Sequence, residues 1–269
     1  MRSIRVPAVA PTCARLLLVL AGFVPGIPGT MQAQVAAAAS GAGQTATPDS
    51  LRPIRPGDGV FDSRHLQTDT VRYALTVFRE GSQLPVGQLT NEMQRDSSES
   101  GVWLRRVQRI QRGSAQVIDS SVTEAHTLAP RLHRSLQPMR RITLDFSGRR
   151  VRGSVGPVDA PPVPFDTVLP MPAFDSGNWD LLVRALPLAK GYAARLAVFD
   201  VDGGLRAYQI QVTGSTVVQD EEAHVVIFTF ARGRESVVWI GKQSGQILRI
   251  ETLLNATTML QQERIRETH

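Results

Sequence analysis

Apolar and polar positions alternate along most of this chain, and the alternation defines two blocks. In the first, Val71, Tyr73, Leu75 and Val77 interleave with Arg72, Ala74, Thr76 and Phe78. That is the period of a half-buried strand. A Gly81-Ser82 turn leads to a predicted strand over 85–94, and a polar loop over 96–101 leads to another over 102–111. Arg112-Gly113-Ser114 then turns into 116–124. Ile142, Leu144 and Phe146 alternate with Arg141, Thr143 and Asp145 before a Ser147-Gly148 hairpin signal. The second block starts at Tyr192, with strands predicted over 192–199 and 205–212 joined through Asp202-Gly203. Further strands are expected over 216–219, 225–230, 236–240 and 246–254, and 257–265 reads as a closing strand in preference to a frayed helix. Val225 to Phe230 is apolar on both faces, which predicts cover on both sides of the sheet there.

One stretch breaks the period of two. Trp179, Leu182, Val183 and Leu186 fall at helical spacing, which predicts a helix over 174–188 with one apolar stripe. Asp175 and Ser176 are its expected caps, and Asp180 suits the positive end of the helix dipole. Asp180 and Arg184, four apart, are expected to pair on the other side. Pro187 and Gly191 end the helix. Ahead of it, 156–172 holds six prolines, which predicts an extended crossing segment rather than sheet interior, a domain linker or, preferably, a strap within one domain. The sum is a mainly β (α+β) fold. A long curved antiparallel sheet of ten or eleven strands forms an incomplete barrel around one principal helix, in a single domain over 59–267.

Composition adds little to this fold and more to its compartment. The 269 residues are 42% hydrophobic and 20% charged, ordinary values for a chain with a core. Arg2, Arg5 and Arg15 precede the apolar run 16–24, then Pro25, Gly26, Pro28 and Gly29 break it, and small residues follow to Ala33. This is the order of a secretory signal peptide over 1–33, with a mature start near Gln34. The run is too short to span a bilayer, and no later stretch qualifies as a spanning helix. Residues 34–58 are small and polar, a flexible leader with ordered structure expected from about Val60. Cys13 is the single cysteine and precedes the apolar run, so neither lipidation nor a disulfide is expected. The reading is an exported protein of a bacterial periplasm or cell envelope. The formal charge of +6 loses three arginines with the signal segment and is a weak argument for nucleic acid.

Motifs for chemistry are missing. His65, His126, His133, His224 and His269 are scattered without metal-ligand spacing, and are expected to be incidental surface residues with no metal or cofactor. Asp220, Glu221 and Glu222 read as a solvated turn. No G-x-S-x-G, phosphate loop or dinucleotide fingerprint occurs. Arg105, Arg106 and Arg109 lie on one predicted strand with Trp103 alone nearby. A solvated face is the plain reading, and anionic lipid headgroups are the residual one.

The segments GYAARLAVFD, VVIFTF and VVWIGKQSGQILRIE resemble a bacterial family of exported domains of unknown function. That family is grouped with the lipoprotein-carrier (LolA/LolB-like) superfamily, and the resemblance covers roughly Val60 to Glu251. It implies an incomplete antiparallel barrel wrapped on helices, with a concave apolar face that holds acyl chains. This chain departs from the carriers in having one clear helix instead of several lid helices. The residues that would line such a site are Trp179, Leu182, Val183 and Leu186 on the helix, facing Tyr73, Leu75, Val77, Val226, Phe228 and Phe230. The same residues also make a plain packed core. Three functions follow in order: a non-enzymatic envelope protein binding a lipid or lipoprotein acyl chain, a structural or protein-interaction module with a filled core, and a hydrolase.

Overall fold

A computed structural model describes residues 51–99 and 101–266. The segments expected as signal peptide (1–33) and most of the leader lie outside the described residues. Fifteen strands form one sheet. The first eight are β1 (Thr70–Arg79), β2 (Ser82–Ser98), β3 (Gly101–Arg112), β4 (Ala115–Glu124), β5 (Pro130–Gln137), β6 (Arg140–Ser147), β7 (Arg150–Gly156) and β8 (Val163–Val168). The rest are β9 (Phe174–Asp175), β10 (Ala193–Asp200), β11 (Gly204–Val218), β12 (Glu221–Ala231), β13 (Arg234–Gly241), β14 (Ile247–Asn255) and β15 (Thr258–Arg264). The order across the sheet is β8 through β1, then β15 back through β9. Apart from β9, which joins β10 in parallel, each block is therefore an antiparallel meander. The first runs outward from β1, the second inward to β15, and β1 pairs with β15 from Tyr73–Arg264 to Arg79–Thr258.

The sheet stays open between β8 and β9. Side chains rather than ladder hydrogen bonds span the gap. Arg140 at the start of β6 holds Asp202 in a two-pronged ion pair, with nitrogen–oxygen distances of 2.8 and 2.7 Å. Phe146 and Phe165 meet Phe199 of β10 with ring centroids 6.1 and 5.9 Å apart. Ile142, Leu144, Val151 and Leu169 complete this second core. Closure without a ladder leaves the edges to be protected otherwise. The free side of β10 is covered in parallel by Ile54 opposite Leu196, and by Phe174–Asp175 opposite Val198 and Phe199.

Several expectations are corrected here. The flexible leader is ordered by Ile54, whose N–H donates to Arg195 O at 2.8 Å. The proline-rich strap, expected outside the sheet interior, adds an edge strand, β8, paired to β7 from Val163 to Val168. Its Pro164 is tolerable because β8 is the outermost strand, where one donor is not needed. Strand β5 escaped prediction because its inward residues, His133, Ser135 and Gln137, are polar.

The helix is shorter than 174–188. Phe174–Asp175 is β9, Ser176–Asn178 is a single 3-10 turn, and the helix proper, α1, is Trp179–Arg184. Asp175 does cap the turn, accepting from Gly177 N–H at 3.1 Å. Pro187 explains the early stop, since it disfavours helical backbone at the residue before it. The expected Asp180–Arg184 pair across a solvated face is also wrong. Asp180 pairs with Arg106, and Arg184 Nε donates to the Gly245 carbonyl at 2.8 Å. The reason is that α1 lies inside the curved sheet, so both faces are buried, and Asp180 turns to a strand while Arg184 turns to the loop after β13.

Candidate functional site

Alternation places Leu75, Leu89, Ile142 and Leu144 on the concave face, where α1 brings Trp179 against them. A cavity of about 130 Å³ is left between them. Phe230 and Leu260 close its apolar part. Beneath Trp179 the aromatic rings are stacked tightly, with Trp179–Phe228 and Trp179–Phe230 centroids 4.6 and 5.3 Å apart.

The other end of the cavity is polar. In β3, β4 and β5 the same alternation turns Arg106, Gln108, Asp119, Ser121, His133 and Ser135 inward. These residues meet the start of α1. Arg106 is 3% exposed and bonds Asn91 Oδ1 at 2.8 Å, Gly177 O at 3.1 Å and Asn178 Oδ1 at 3.2 Å, besides pairing with Asp180. Ser121 Oγ donates to Asn178 Oδ1 at 2.7 Å. His133 Nδ1 lies 2.7 Å from Asp175 Oδ2, and His133 Nε2 lies 4.0 Å from Asp119 Oδ1. Gly177 is required at this contact: a Cβ there would come within 2.6 Å of His133 Cε1.

Burial alone would pull the His133 pKa down, but the Asp175 carboxylate outweighs it with help from Asp119, and the imidazole rises to about 9. Burial pushes the Asp119 carboxyl up, against the lowering effect of His133. The imidazole is thus held as a cation between two acids. A protonated ring cannot take a proton from a nucleophile, so the arrangement is poorly suited to general-base chemistry. Among the described residues, no group of three His, Cys, Asp or Glu side chains is placed to hold a metal ion. No helix among them is long and apolar enough to cross a membrane.

The family model described as "Protein of unknown function (DUF3108)" matches residues 71–262. The chain belongs to the DUF3108 family. No curated protein matches it. Similar solved structures include a DUF1329 family protein from Desulfovibrio piger, with 10% identity and a TM-score of 0.30. A LolA superfamily protein from Nitrosomonas europaea has 9% identity and a TM-score of 0.21. Each alignment covers 79% of this chain and 92% of that one.

In this DUF3108 chain the expected lining residues divide. Trp179, Leu75 and Phe230 line the cavity. Tyr73, Leu182, Val183, Leu186, Val226 and Phe228 are buried in the surrounding core, and Val77 packs against it half-buried. The three arginines divide too, because neighbours on a strand face opposite ways. Arg105 and Arg109 point outward and pair with Asp96 and Glu92. Arg106 points inward and is consumed, so the expected headgroup cluster does not form. His133 is corrected from an incidental surface residue to a buried wall of the cavity. Asp119 was missed, although the alternation from Val117 puts it and Ser121 on the apolar face.

Proposed function

We propose that this chain is an exported, non-enzymatic envelope protein that holds the end of an acyl chain, from a lipid or lipoprotein, in its concave face. The supporting observation is the cavity beside Trp179, with Leu75, Leu89, Ile142, Leu144 and Phe230 on its walls. Its volume is close to that of a cavity of about 150 Å³ that takes benzene, so five or six carbons is the order of what fits inside. Each buried methylene contributes about 0.8 kcal/mol, so a chain end binds without a specific polar contact. The sequence pattern of a signal peptide supports export. A filled interaction module is the second reading, favoured by the complete burial of Val183, Val226 and Phe228.

Mass spectrometry of protein isolated from a bacterial envelope tests the first reading, together with displacement of a fluorescent fatty alcohol. Bound lipid and saturable displacement are expected. Protein that comes out lipid-free and ignores apolar chains of any headgroup at high micromolar concentration leaves the filled module standing.

A further inference from the structure

The cavity walls carry a charge pattern that an acyl chain alone does not use. Asp119, Asp175, Asp180, Asp200 and Asp202 line it with His133, and no arginine or lysine side chain does. Three of these acids are fully engaged. Asp175 holds His133 and the turn before α1, Asp202 holds Arg140, and Asp200 Oδ1 accepts from the N–H groups of Asp202 and Gly203. The other two are engaged only in part: Asp119 has the Ser135 hydroxyl, and His133 Nε2 at 4.0 Å stands beyond hydrogen-bond reach of its Oδ1. Asp119 Oδ1 and Asp180 Oδ1 are buried carboxylate oxygens with no hydrogen-bond donor. Asp180 is 9% exposed as a residue, and its other oxygen is taken by Arg106. A buried acceptor left unmatched is costly, so a cavity with two of them in its wall residues favours a donor.

We propose that the polar end of this cavity recognises a protonated aliphatic amine, with Asp119 Oδ1 as its anchor and the attached hydrocarbon lying against Leu144, Trp179 and Phe230. This deepens the acyl-chain reading and rests on it. An ammonium has three donors and no acceptor, matching walls that offer carboxylate oxygens and aromatic rings. A fatty carboxylate would add a charge of the same sign to a wall whose one cation, His133, is already held by Asp175 and Asp119. Burial is the largest influence on Asp119 and opposes its ionisation, as does Asp175. His133, the Ser135 hydroxyl and Arg106 favour the ionised form, the form that binds an ammonium. Acidification should therefore release the amine.

Isothermal titration calorimetry of the mature protein with octylamine, octan-1-ol and octanoate tests this at one chain length. Near neutral pH the amine should bind about tenfold or more tighter than the alcohol, the worth of one charge-assisted hydrogen bond, with octanoate weakest. Moving toward pH 5 should weaken the amine and leave the alcohol unchanged. Asp119→Asn should bring the amine to the level of the alcohol. Should that variant not fold, the ranking and pH response of the unaltered protein decide alone. Alcohol binding without preference for the amine overturns the proposal and leaves the acyl-chain reading intact. A preference for octanoate overturns it as well, and binding of none of the three overturns both. The mass of any amine-reactive molecule carried by protein from the envelope separates an aminolipid from a small free amine.

Discussion

His133 Nδ1 and Asp175 Oδ2, 2.7 Å apart, tie β5 to the opposite edge strand β9 across the open side of the sheet. This tie is charged, and its charge depends on pH. The folded pKa of His133 stands at about 9 against an ordinary 6.5. A histidine raised on folding contributes stability that is fully present below about pH 6.5 and is lost as pH rises through about 9. The change over that window is on the order of 3 kcal/mol. Urea midpoints measured from pH 6 to 9.5 should fall steadily in the parent. In His133→Gln they should be nearly flat and start lower. His224, whose pKa is pushed down by burial and Lys242, acts with the opposite sign and only at the acid end of the scan, up to its unfolded value near 6.5.

Arg106 and Asp180 make the second tie, from β3 to the start of α1. Removing one member of a buried ion pair costs about 3–5 kcal/mol, because the other charge stays behind without a partner. Arg106→Met should fall in that range. Asp180→Leu alone should be severe for the same reason, while Arg106→Met/Asp180→Leu should recover a large part of the loss. A double-mutant cycle in urea checks this, and additive losses would mean that the two residues do not act as a pair.

The apolar core around α1 gives a simpler expectation. Leu182 and Leu186 are 1% and 5% exposed, so alanine at either should cost about 2–5 kcal/mol in urea unfolding. Leu253, 54% exposed on β14, is the control and should change by less than about 0.5 kcal/mol.

How far the sequence carries depends on which interaction decides each element. Alternation is a local signal, so β1 and β6 are legible residue by residue, and so is the curved antiparallel sheet. Strand β5 is not, because its inward side chains serve a polar cluster and its leucines, 132 and 136, face outward. The helix pattern of Trp179, Leu182, Val183 and Leu186 is correct as a buried stripe. It says nothing of Leu181 or Arg184, which are buried as well because the sheet wraps the helix on every side. Arg105 and Arg106 show the limit most clearly. They are adjacent and chemically identical, and only the register of β3 sends one to solvent and the other into the core. Register also decides Asp119. Its place on the apolar face could have been read from Val117 and Ser121, but its contact with His133 depends on β4 pairing β5, Ser121 opposite His133.

The cavity separates the two readings of the core through a pair of overpacking variants with opposite expected signs. Val183 is fully buried and lies off the cavity wall. A larger side chain there has nowhere to go, so Val183→Phe should destabilise by about 1–3 kcal/mol through forced rotamers and backbone shifts. Leu144 is equally buried but stands on the wall, with about 130 Å³ beside it. Leu144→Phe can extend into that space. It should leave stability unchanged or raise it by about 0.5–2 kcal/mol, the usual range for filling a cavity. The same variant removes room for a chain end, so displacement of a fluorescent fatty alcohol should weaken at least about tenfold, the loss of roughly two buried methylenes. Thermal or urea unfolding and the displacement assay together give the answer. If Leu144→Phe destabilises as much as Val183→Phe and binding is untouched, the space beside Leu144 is filled in solution and the ligand site lies elsewhere.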